Sequence, residues 1–169
     1  MGGEEGNVVV GGFSQGAAMS AFLLLSGRLE EVGVGVGGWV LLSGWLPFRR
    51  QIQDVVLREG LENEKVRGEV CVFVRGLIGL EGVGGEEGGV GGRELVGEKV
   101  WIANGKRDEK VLLRWGEDVR DVLKGVGSEV SMEVHDVGHW WCEEMMEGMV
   151  SWIVGLWGES VLAGEGGGS

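Results

Sequence analysis

Apolar positions along the chain form short dense runs, separated by stretches in which they recur at helical spacing. Val8-Val9-Val10 is β-branched and does not alternate, the pattern of a strand buried on both faces of a parallel sheet. Gly38-Trp39-Val40-Leu41-Leu42 and Val100-Trp101-Ile102-Ala103 read the same way. Val130, Met132 and Val134 alternate with polar residues and predict a fourth strand. Between the strands, Ala17 to Leu25 consists mostly of good helix formers and meets a stop at Ser26-Gly27. Phe48 to Arg58 carries Phe48, Ile52, Val55 and Val56 at helical spacing, and Leu112 to Lys124 is an amphipathic helix. Trp141 to Trp157 predicts a last helix, with Met145, Met149, Trp152, Ile153 and Leu156 on its apolar face.

Three stretches are less definite. "EEVGVGVGG", from Glu30, reads as a connection. Glu69 to Leu80 fits strand or helix and is taken as a short helix. "EGVGGEEGGVGG", from Glu81, reads as a flexible loop, and residues 159–169 as a disordered tail after one domain spanning 1–158. The alternation of strands and helices predicts an α/β fold: a parallel sheet of about four strands flanked by helices on both faces.

Composition narrows the function classes. With 169 residues the chain suggests one domain. The net charge of −12, with basic residues scattered, argues against a nucleic-acid footprint. No apolar run reaches the ~18 residues of a transmembrane helix. Residues 1–6 lack the basic and apolar regions of a signal peptide. Cys71 and Cys142 have no metal-ligand spacing, and a reduced pair is expected.

The candidate chemistry starts at Gly12-Phe13-Ser14-Gln15-Gly16. With 36 Gly and 9 Ser, about 0.4 G-x-S-x-G matches are expected by chance, so the pentapeptide alone is weak evidence. Its setting is more specific. Strand, tight turn and helix are what a nucleophile elbow requires, with glycines giving room where strand and helix nearly collide. A serine hydroxyl needs a base. Of the two histidines, His135 ends the fourth strand and His139 lies in the loop just past its carboxyl end. Catalytic groups of open parallel sheets gather there, which favours His139. The base needs an acid to hold its tautomer. Asp108 follows the third strand at the same edge. Asp54, Asp118 and Asp121 lie on helical segments, and Asp136 is too near His139 in sequence to orient its ring easily. Ser14, Asp108 and His139 occur in the chain order of α/β-hydrolases.

Four pieces then point one way: Gly12-Phe13-Ser14-Gln15-Gly16-Ala17, Leu42-Ser43-Gly44-Trp45-Leu46-Pro47, Gly105-Lys106-Arg107-Asp108-Glu109-Lys110-Val111, and Gly138-His139-Trp140-Trp141-Cys142. In these the chain resembles the acyl-protein thioesterase and phospholipase/carboxylesterase family of α/β-hydrolases. The resemblance implies a cytoplasmic serine hydrolase without metal or cofactor. Its substrates would be acyl thioesters or esters: palmitoylated proteins, lysophospholipids or small esters. It implies Ser14 as nucleophile, His139 as base, Asp108 as orienter, the Gln15 N–H as oxyanion donor, and Trp45 and Leu46 as acyl-pocket walls. Two departures qualify it. The family carries strands and a His-Gly loop ahead of the elbow, the loop giving a second oxyanion donor, and the sequence shows neither. "GHWW" puts two tryptophans where the family has small polar residues. The expectation is therefore a partial α/β-hydrolase fold lacking the N-terminal strands. Two functional readings stand: a working serine esterase or thioesterase, and a catalytically impaired fragment of one.

Overall fold

The computed structural model describes residues 8–58, 63–80 and 97–164. Among them are four strands, β1 (Val8–Phe13), β2 (Val36–Leu42), β3 (Lys99–Gly105) and β4 (Glu129–His135). They form one parallel sheet in the order β1-β2-β3-β4. The helices are α1 (Gln15–Leu25), α2 (Arg28–Glu31), α3 (Arg49–Val56), α4 (Asn63–Leu77), α5 (Leu113–Gly125) and α6 (Glu143–Gly164).

Sequential strand order decides where the helices go. Crossovers between parallel strands are right-handed as a rule, and here each steps in the same direction, which puts the connecting helices on one face. The larger core cluster agrees. It joins Ala21, Leu24 and Leu25 of α1, Ile52 and Val55 of α3, Val70 and Val74 of α4, and Val119, Val122 and Leu123 of α5 to Trp39, Leu41, Val100 and Ile102 of the sheet. The opposite face is left to α6. There Met145, with Met149, Trp152 and Ile153, packs on Val40, Leu42, Trp101 and Ala103. Successive residues of β2 and β3 thus enter different clusters, which is why these strands are apolar without alternation. The predicted apolar face of α6 is the face that meets the sheet, and the helix runs past Trp157 to Gly164.

Three expectations change. The sequence predicts Val8-Val9-Val10 covered on both faces, yet among the described strands β1 lies at the sheet's edge: Val8 is exposed and Val9 and Val10 are only half-buried. The short helix expected over Glu69 to Leu80 is the C-terminal part of a longer one, α4, which ends at Leu77 and whose buried Val66, Val70 and Val74 recur every fourth residue. The connection from Glu30 overlaps the end of α2, and β2 starts at Val36. The glycine-rich stretch from Glu81 lies outside the described residues. No described helix is long and apolar enough to cross a membrane.

Candidate active site

Ser14 sits between β1 and α1, with φ 56° and ψ −117°. A non-glycine residue held there costs on the order of 1–3 kcal/mol and persists only where its surroundings impose it. Here the Ser14 N–H donates to Leu42 O (2.8 Å), its own carbonyl accepts from the Ala18 N–H (3.1 Å), and β1 and α1 are each fixed by packing. Ser14 is the N-cap of α1, a position where a serine hydroxyl ordinarily accepts from the first turn and contributes about 1 kcal/mol. Its hydroxyl makes no capping bond. It lies instead 2.9 Å from His139 Nε2.

The two elbow glycines have different roles. A Cβ on Gly12 would lie 2.3 Å from the Gly16 carbonyl carbon and 2.7 Å from the Ala17 nitrogen, so the first turn of α1 can approach β1 only over a glycine. A Cβ on Gly16 would meet nothing within 4 Å, so Gly16 is not a space-giving residue; its backbone is the obstacle. Gly12→Ala is therefore expected to destabilise the fold by about 1–3 kcal/mol, since the clash is with backbone that cannot rotate away. Gly16→Ala should be tolerated. Urea denaturation of both variants checks this.

His139 and Asp108 are brought together by adjacent strands and by the loops that follow them. The Lys106 N–H donates to His135 O (2.7 Å) and the Arg107 N–H to Val137 O (2.9 Å). The loops touch across Gly105, where a Cβ would lie 2.4 Å from Gly138 O. Asp108 is buried. Its Oδ1 accepts from the N–H groups of Lys110 (2.9 Å) and Val111 (2.8 Å), and its Oδ2 lies 2.7 Å from His139 Nδ1. Burial alone would raise the carboxyl pKa, but the bonds from the Val111 N–H, His139 and the Lys110 N–H outweigh it and hold the group below its ordinary value. An ionised carboxylate only accepts, so Nδ1 carries the proton, Nε2 presents its lone pair, and the Ser14 hydroxyl donates to it.

The other candidates fall elsewhere. His135 Nε2 lies 3.1 Å from Glu133 Oε2, away from Ser14. Asp118 pairs with Arg49 and accepts from Gln53 Nε2 (2.9 Å), tying α5 to α3. Asp121 pairs with Arg120, and Asp136 with Arg107. Gln15 is the first residue of α1, so its N–H has no intrahelical acceptor. Trp45 is half-buried in the loop after β2, and Leu46 is buried in the larger core cluster. One feature escaped the residue-by-residue reading: Phe13 packs its ring 4.9 Å from His139, and edge-on to Trp141 at 5.3 Å. Phe13 sits inside the elbow and Trp141 beside His139, and that adjacency was the available signal.

No protein-family model and no curated protein matches the chain. Solved structures do. Acyl-protein thioesterase 2 of Zea mays superposes with a TM-score of 0.55 at 22% identity, over 86% of this chain and 54% of its own. SOBER1 of Arabidopsis thaliana gives 0.54 at 22%, over 92% and 55%. The Bacillus cereus carboxylesterase gives 0.54 at 19%, over 88% and 50%. The chain thus spans about half the length of the structures it matches. At these identities the likeness is one of fold, and the fold is a partial α/β-hydrolase fold of the kind found in acyl-protein thioesterases and carboxylesterases.

Proposed function

We propose that the protein is a serine hydrolase that cleaves carboxyl esters or thioesters. The observation that carries this reading is the diverted hydroxyl of Ser14. A serine at a helix N-cap, in a strained conformation, forgoes its capping bond and points at a histidine held by a buried carboxylate. Strain and a lost cap together oppose folding, and the arrangement is what nucleophilic catalysis needs.

In this reading His139 Nε2 takes the Ser14 proton as Oγ attacks the acyl carbon. Asp108 stabilises the imidazolium that forms. The oxyanion is held by the Gln15 N–H at the start of α1. His139 then gives the proton to the departing alcohol or thiol, and water repeats the sequence on the acyl-enzyme. Trp45 walls the acyl side, and Leu46 backs it from the core. No metal or cofactor takes part in these steps.

The second reading, an impaired hydrolase, is favoured by the position of β1, the strand that leads into Ser14, which among the described residues pairs on one side alone, with β2. If Gln15 is the sole oxyanion donor, turnover falls by about 10²–10³ relative to a site with two. A fluorophosphonate probe separates activation of the serine from turnover. Labelling mapped by mass spectrometry to Ser14 is the expected result, with hydrolysis of short and long acyl thioesters followed in parallel. Folded protein that takes up no probe would sink the hydrolase reading. Labelling with weak turnover supports the second.

A further inference from the structure

Four rings form one connected array beside Ser14. Phe13 stacks obliquely on His139, with centroids 4.9 Å apart at 40°. Trp141 and Trp140 meet Phe13 edge-on at 5.3 Å and 6.4 Å. Trp140 and Trp141 lie nearly parallel, 4.4 Å apart at 22°. The inner rings, Phe13 and His139, are half-buried, whereas Trp140 is 60% and Trp141 41% exposed. The Trp140 N–H donates to Gly138 O (2.9 Å), so the turn carrying His139 also fixes the start of this pair. Two stacked indoles, each partly exposed, on a backbone-fixed turn next to the imidazole, form a flat apolar ledge.

We propose that the Trp140–Trp141 ledge binds the leaving group, and that it selects esters and thioesters whose alcohol or thiol half carries an aromatic or extended apolar group. The proposal rests on the serine-hydrolase reading. Its argument is the path of one proton. As the Ser14 Oγ–carbon bond forms, the Oγ proton passes to His139 Nε2. As the carbon–oxygen or carbon–sulfur bond to the leaving group breaks, that proton passes from Nε2 to the leaving atom, which carries away the bonding pair. The leaving atom therefore sits beside Nε2, and the group bonded to it runs over the surface next to the imidazole. Among the described residues, the exposed rings joined to that imidazole, through Phe13, are those of the ledge. Aromatic and aliphatic groups gain dispersion and apolar burial against an indole face.

The test is a matrix of esters of one acid with methyl, hexyl, benzyl and naphthylmethyl alcohols, beside a second series varying the acid with one alcohol. It is run on wild type, Trp140→Ala and Trp140→Phe, with fluorophosphonate labelling as the measure of an activated Ser14. In Trp140→Ala the ratio of kcat/KM for naphthylmethyl over methyl ester should fall about threefold to tenfold. Trp140→Phe should restore most of it. The loss should lie in acylation, because the acyl-enzyme no longer holds the leaving group. If Trp140→Ala labels but lowers every alcohol equally, or shifts the dependence on acid length instead, the ledge is not a leaving-group site and the hydrolase reading stands. Absence of labelling in wild type overturns that reading, and the ledge with it.

Discussion

Ser14→Ala should abolish fluorophosphonate labelling and lower ester turnover by about 10⁶-fold, because a nucleophile acting as one unit with its base costs about as much to remove as the whole set. The same change should leave stability nearly untouched. The hydroxyl makes no capping bond, so none is lost. Alanine meets the same steric objection to φ 56° that serine does, so the strain is neither relieved nor increased. What disappears is one hydrogen bond to His139. Labelling, hydrolysis and a thermal melt on the same preparation check the two halves together. Activity within tenfold of wild type would show that another group is the nucleophile. A large fall in melting temperature would show that the hydroxyl has a structural part not visible in its contacts.

Much of this arrangement is legible in the sequence because it is local. The elbow needs small residues at fixed offsets. A strand covered on both faces needs an unbroken apolar run, as in Trp39 to Leu42. Positions 145, 149, 152 and 156 must recur at three and four to meet the sheet. The placement of Asp108 and His139 follows from a rule about strand ends, and the two meet because their strands, β3 and β4, are adjacent; Ser14 follows β1 at the same edge of the sheet, two strands from β3. What failed depends on non-local facts. Whether Val8-Val9-Val10 is covered depends on what lies beyond β1, which no local pattern encodes. Gly16 and Gly12 look equivalent in the motif, and only the direction of approach of α1 separates them. Val150 and Val154 continue the apolar character of α6 around to an exposed side, so composition overstates how much of that helix the sheet covers. The ring array is intermediate: each member adjoins a motif residue, but that four rings meet is a tertiary fact.

Asp108→Asn should cost about 10⁴-fold in turnover with little change in fold, the largest loss expected from a residue that never touches the substrate. The reasoning follows the hydrogen bonds. The Asp108 Oδ1 position accepts from the Lys110 and Val111 N–H groups, so in the variant the amide oxygen takes that place. The amide NH₂ is then left facing His139 Nδ1, at the 2.7 Å position of Oδ2. A donor there makes Nδ1 the acceptor and moves the ring proton to Nε2. Nε2–H now points at Ser14 Oγ and cannot take its proton. The imidazolium also loses the carboxylate that stabilised it. Acid stability supplies a second readout of the same contacts. A carboxyl held below its ordinary value of 3.8 contributes stability that is fully present above that pH and is lost as pH falls through its lower folded value. Asp108→Asn removes that dependence, so wild type should lose more stability than the variant as acid is added below about pH 4, read by the emission of its tryptophans. Variant turnover near wild type would mean that His139 finds its tautomer without Asp108. Parallel acid titrations would mean that the buried hydrogen bonds do not favour the ionised form.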